Sequence, residues 1–103
     1  MALATAAAGP TPRRLAAEVL ARVDRDRAFA MPALDAALDR AGLPPRDRAL
    51  ATELTYGALR WRGRLDWLIA HAAQRPVDRI DMPLRAILRV AAYQLVFLER
   101  VPD

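Results

Sequence analysis

Apolar residues recur along this chain at spacings of three and four, with no stretch of strict apolar–polar alternation. That rhythm lines one side of a 3.6-residue helix and predicts an all-α fold without strands. Thr11-Pro12 offers a capping hydroxyl followed by a proline suited to a first helical position. Leu15, Val19, Leu20 and Val23 then share a face, with Arg14, Glu18 and Arg22 opposite. Beyond the charged connector Asp24-Arg25-Asp26-Arg27, a second helix is expected near residues 31–41. Its stripe is Leu34, Ala37, Leu38 and Ala41, and Gly42 is its stop.

Leu43-Pro44-Pro45 reads as a turn, with Pro45 opening a third helix along which Leu50, Leu54, Gly57 and Trp61 recur. A fourth helix carries Leu65, Leu68, Ile69 and Ala72 and ends before Arg75-Pro76. Between these two, Gly63 is the expected bend, since glycine costs about 1 kcal/mol in a helix interior relative to alanine. Asp81 can cap a fifth helix with Pro83 in its first turn. This helix is apolar nearly all round. Leu84, Ile87, Leu88, Ala91, Leu95 and Leu98 form one stripe, and Val90, Tyr93 and Phe97 form another. Arg85, Arg89 and Glu99 are left as a narrow exposed edge, and the helix is expected at the centre of the bundle.

At 103 residues the chain supports one domain with a modest core. No apolar run reaches the roughly eighteen residues of a membrane span; the longest, residues 87–98, is interrupted by Arg89 and Gln94. No membrane partner is expected. The opening residues lack the charged and apolar regions of a signal peptide, so residues 1–11 read as a disordered leader and residues 12–103 as the domain. The absence of cysteine excludes disulfides, thiolate nucleophiles and cysteine-bound metal, and fits a cytoplasmic protein.

The net charge is +4, and all 16 basic residues are arginine. Arginine suits bidentate phosphate recognition. The charge is spread evenly, however, with eight arginines and six acids in each of residues 1–52 and 53–103. A solvated surface accounts for that distribution as readily as a ligand does.

Little in the chain points to catalysis. His71 is the single histidine and cannot assemble a metal site alone, so no metal is expected. Serine is absent altogether, which excludes a serine nucleophile. Asp35 and Asp39 lie one turn apart and read as a solvated acidic face balanced by Arg40. Gly57 and Gly63 sit in helical surroundings, away from any strand-to-helix phosphate loop. No catalytic residue is assigned. Arg60 and Arg64 share a helical face, from which Arg62 points away unless the helix breaks. Arg60 is open to a structural reading, pairing with Glu53, as well as to a nucleic-acid contact.

Three segments carry a resemblance when taken in order: E-L-x-Y-G-x-L-R (residues 53–60), L-D-W-L-I (residues 65–69) and L-R-x-I-L-R-V-A-A-Y-Q-L (residues 84–95), with a trailing V-P. Together they resemble the NusB-like domain. This is the helical RNA-binding fold shared by the antitermination factor NusB and the N-terminal part of RsmB-type ribosomal RNA methyltransferases. The Tyr56-Gly57-x-x-Arg60, Leu65-Asp66 and Tyr93-Gln94-Leu95 elements are closer to the methyltransferase branch.

The resemblance implies an RNA-binding domain that holds small-subunit (16S) rRNA for a downstream catalytic domain. That domain would use S-adenosylmethionine to methylate carbon 5 of a cytidine. A thiolate must first add to carbon 6 of the ring. This chain has no cysteine and no dinucleotide-type glycine loop, so both the catalysis and the cofactor are expected in that downstream domain. The family pattern continues into further helix past Val101-Pro102, so one or more C-terminal helices are expected to be missing. The flank left by them would suit a partner helix or a dimer. Arg13 and Arg14, at the start of the first helix, match the family's basic N-terminal region and lead the expected RNA contacts. Arg60, Arg62, Arg64, Arg85 and Arg89 follow. An antitermination factor and a helical protein-interaction module are the competing readings.

Overall fold

The computed structural model describes residues 11–98. The expected leader lies outside these residues except for Thr11, as do Glu99 and the Val101-Pro102 motif. Five α-helices account for most of the described chain, and no strand occurs among the described residues. They are α1 (Pro12–Asp26), α2 (Ala30–Ala41), α3 (Pro45–Arg60), α4 (Arg62–Ala73) and α5 (Met82–Tyr93). A 3-10 turn, Val77–Arg79, precedes α5, and a π-helical turn, Gln94–Leu98, follows it.

The ends form where the residue chemistry dictates. The Arg14 N–H donates to Thr11 Oγ1 at 3.1 Å, and Pro12 occupies the first turn of α1. Gly42 closes α2 in the left-handed region (φ 64°), its N–H donating to the Leu38 carbonyl. Arg48 reaches back from α3 to donate to that same carbonyl at 3.2 Å.

The spine of the fold is α1, which packs against α2, α3 and α5. Its Leu15 and Val19 join Ala33, Leu34, Ala37 and Leu38 of α2 in one core cluster. Ala16, Ala17 and Leu20 join Leu54, Ala58, Leu65, Ala86, Val90 and Tyr93 in the other. A helix buried on two sides needs small side chains where neighbours approach closely, and Ala16 and Ala17 meet that need.

Helix α5 also packs against three helices, α1, α3 and α4, but it is not buried all round as its composition predicted. It buries Ala86, Arg89, Val90 and Tyr93. The other stripe faces outward, with Leu84, Ile87 and Leu95 exposed by 50, 54 and 68%. The reason is that Arg89 points inward, where carboxylates from two other helices neutralise it.

The break between α3 and α4 also falls elsewhere than expected. It lies at Trp61 (φ −103°, ψ 20°), while Gly63 sits inside the first turn of α4 with open space around it. Trp61 is held by stacking on Phe97, with ring centroids 5.0 Å apart, and Phe97 stacks on Tyr93 at 5.1 Å. Tyr93 in turn lies against Gly57 so closely that a Cβ there would collide with its phenol ring. Gly57 is the close-approach glycine of this fold.

Candidate nucleic-acid interface

The capped start of α1 projects Arg13 and Arg14 from its first turn, into a groove bounded by α1, α2 and α5. Arg13 is fixed there, because its Nε donates to Oε1 of the buried Gln94 at 3.0 Å. Gln94 occupies the first position of the π-helical turn. Arg14 is exposed, with Glu18 one turn on at 3.9 Å.

The groove encloses about 720 Å³. Arg22, Arg25 and Arg40 line it as well, and Glu18 is the only acid among its lining residues. Its floor is made of small and apolar side chains, including Ala17, Ala33, Ala37 and Val90. Arg22 and Arg25 contact Asp26 at 3.9 and 3.1 Å while staying exposed. The Asp26 carboxyl sits below its ordinary pKa, mainly through the hydrogen bond it accepts from Arg25.

The sequence pointed to Arg13 and Arg14 but left Arg22 on a solvent face and Arg40 as a partner of the α2 acids. The 3.6-residue period of α1 carried a signal, because Arg14, Arg22 and Arg25 share one side of it. Their convergence with Arg40 emerges only when α2 folds beside α1. Asp39 lies 3.9 Å from Arg48, and both α2 acids are exposed.

The second group of predicted arginines does not line the groove. Arg60 and Arg64 are exposed, and Arg60 lies 5.8 Å from the centroid of the Trp61 ring. Arg62 contacts Asp24 at 3.0 Å and Asp66 at 4.0 Å.

Arg85 and Arg89 require correction, since neither stands on an exposed edge. Arg85 is half-buried, and its Nε and Nη2 donate to the Ile80 carbonyl at 3.3 and 2.9 Å. It therefore fastens the loop before α5. Arg89 is 3% exposed. It donates to both oxygens of Asp66, at 2.7 and 3.0 Å, and to Asp24 at 2.6 Å. Burial works against its charge, but the hydrogen bonds to Asp66 and Asp24 outweigh that cost and raise its pKa.

One aromatic pair stacks outside the core. Trp67 is 65% exposed and lies on His71, with centroids 5.3 Å apart and planes within 4° of parallel. Among the described residues no cluster of three potential metal ligands occurs. No described helix is long and apolar enough to cross a membrane.

An arginine rim over an apolar floor can hold phosphates at its edges and the flat faces of sugars or bases between them. The NusB family matches residues 10–103. The chain is 48% identical over 93 residues to ribosomal RNA small subunit methyltransferase B of Thermus thermophilus, covering 90% of this chain and 22% of that one. It is 46% identical over 84 residues to a putative methyltransferase of Mycobacterium tuberculosis, covering 82% and 18%. A probable ribosomal RNA small subunit methyltransferase B of Synechocystis is 38% identical over 90 residues, covering 87% and 20%. The chain thus spans about a fifth of the length of these curated relatives. No solved structure matches it significantly.

Proposed function

Because the chain belongs to the NusB family, we propose that it is an RNA-binding auxiliary domain that holds small-subunit (16S) rRNA for a methyltransferase. The observation that carries this reading is the groove rimmed by Arg13, Arg14, Arg22, Arg25 and Arg40. Five guanidiniums around one concave surface, against Glu18 in its lining and Asp26 beside Arg22 and Arg25, keep an excess of positive charge and make a site for a polyanion. Guanidinium forks match phosphate oxygens in pairs. Residues 12–103 form the binding unit. The partners in methylation, a cysteine nucleophile and S-adenosylmethionine, belong to another part of the whole protein.

The described residues do not fit that cofactor. Gly42 ends a helix, while Gly57 and Gly63 lie within helices, Gly57 pressed against Tyr93. None forms the glycine turn between a strand and a helix that cradles such a ligand. No step of methyl transfer is therefore assigned to this chain. Its part is to hold the RNA and orient it.

The test is an anisotropy titration of the full chain against a labelled hairpin from small-subunit rRNA, repeated across salt concentrations. Binding that weakens steeply with salt is expected, because arginine–phosphate contacts release condensed counterions. Absence of binding at low salt, or affinity indifferent to salt, would overturn the reading. Preference for a single-stranded leader element over the hairpin would instead favour the antitermination role.

A further inference from the structure

The two tryptophans of this chain have different surroundings. Trp61 stacks on Phe97, which stacks on Tyr93 of a core cluster, so packing accounts for it. Trp67 belongs to neither cluster, and most of its indole faces water. An exposed tryptophan forgoes a large burial gain, so one held in a fixed stack at the surface calls for a ligand or partner.

The surroundings of Trp67 narrow the choice. His71 lies one turn on and stacks almost parallel to the indole, while the tryptophan stays 65% exposed. Arg64 lies one turn back on the same stripe, since residues 64, 67 and 71 recur at spacings of three and four. All three side chains are exposed. A flat exposed ring, stacked on an imidazole and flanked by a cation, complements a nucleobase and its phosphate better than it complements an apolar protein surface.

We infer that Trp67 is a stacking platform for an unpaired nucleobase of the bound RNA, with His71 holding the indole in place and Arg64 meeting the adjoining phosphate. This rests on the RNA-binding reading but on other residues. The α1 groove supplies the ionic grip, and α4 supplies a contact indifferent to base identity, since every base has a π-face. The domain would then favour RNA that presents a loop or bulge over an unbroken duplex.

The test uses the full chain and a labelled single-stranded oligoribonucleotide of about twelve residues, together with the same backbone carrying abasic positions. Trp67→Ala is expected to weaken binding to the intact oligonucleotide about tenfold at every salt concentration, leaving the salt slope unchanged. Trp67→Phe should retain most of the affinity. The abasic strand should bind the native protein and Trp67→Ala alike. If Trp67→Ala matches the native protein while the native protein binds with a steep salt slope, the platform is wrong and the groove stands. A protein contact would then be the use of this face. A loss accompanied by a flattened slope would assign the defect to charge contacts and also overturn the inference. If the native protein binds no RNA, both readings fall together.

Discussion

Arg89 of α5 grips Asp66 of α4 through two parallel hydrogen bonds, Nε to Oδ1 at 2.7 Å and Nη2 to Oδ2 at 3.0 Å. Its remaining arm reaches Asp24 near the end of α1, at 2.6 Å. Arg62 approaches both carboxylates from the start of α4, so two guanidiniums face two carboxylates and their charges cancel. Three helices are pinned at one point. No buried side-chain nitrogen or oxygen among the described residues lacks a partner. Asp66 and Arg89 lie in two of the segments that carry the family resemblance. In this chain those positions serve the fold.

Removing Arg89 should therefore cost far more than removing a surface charge. Arg89→Met leaves Asp24, whose side chain is 5% exposed, without its closest cation. A loss of about 3 kcal/mol or more is expected from urea unfolding followed by circular dichroism. Asp66→Asn should cost less, because that side chain keeps more contact with water. A loss below about 1 kcal/mol in Arg89→Met would reduce the network to the value of an exposed ion pair.

The two glycines flanking the α3–α4 junction should respond to substitution in opposite ways. Gly57→Ala drives a methyl group into the Tyr93 ring and disturbs its stack with Phe97. Overpacking of this kind costs about 1–3 kcal/mol. Gly63→Ala meets open space within a helix and should stabilise by about 0.5–1 kcal/mol. Melting temperatures of the two variants should move to opposite sides of the native value. A shared direction would mean that the junction is built differently.

The Tyr93 phenol is pushed above its ordinary pKa, first by burial and then by the charge of Glu53, against an opposing pull from Arg60. The folded state thus favours the neutral phenol. The resulting stability is fully present below the unfolded value of about 10 and disappears as pH rises through the higher folded value. In Tyr56→Phe, Tyr93 is the one remaining tyrosine. Its phenolate absorbance should appear at higher pH in buffer than in urea. Coincident titrations would show that the ring is not packed against Gly57.

Much of this fold was legible in the sequence. Pro12, Gly42 and Pro45 mark helix ends by their backbone chemistry, and the Leu15/Val19 and Leu34/Leu38 pairs mark inward faces by periodicity. The orientation of α5 was not legible. Periodicity sends a charged residue outward, and the partners that draw Arg89 inward lie on α1 and α4. The central place of α1 was hidden for another reason, because Ala16 and Ala17 contribute close approach and little hydrophobic signal. Gly57 and Gly63 look alike along the chain, and only the Tyr93 ring separates them. Within the candidate site, Arg13 and Arg14 could be named from the start of one helix. Arg22, Arg25 and Arg40 join them through the packing of α2 and α5 around α1.

On the outward side of α5 and the π-helical turn that follows it, Leu84, Ile87 and Leu95 leave an apolar strip in water, which favours self-association unless it is covered. Light scattering of the chain should show a concentration-dependent rise in mass. Replacing Ile87 and Leu95 with glutamine should suppress that rise and leave the helical content unchanged.

RNA binding by the α1 groove is tested most directly by the salt dependence of affinity in a variant that changes Arg22, Arg25 and Arg40 to glutamine together. All three are exposed, and the ion pairs that Arg22 and Arg25 make are with the equally exposed Asp26. The substitutions should therefore leave the fold intact. If the groove grips phosphates, affinity should fall sharply, and the slope of log K against log salt should shrink by about 0.7–0.9 for each phosphate no longer neutralised. An unchanged affinity and slope in a folded variant would remove the groove from RNA binding and contradict the central claim.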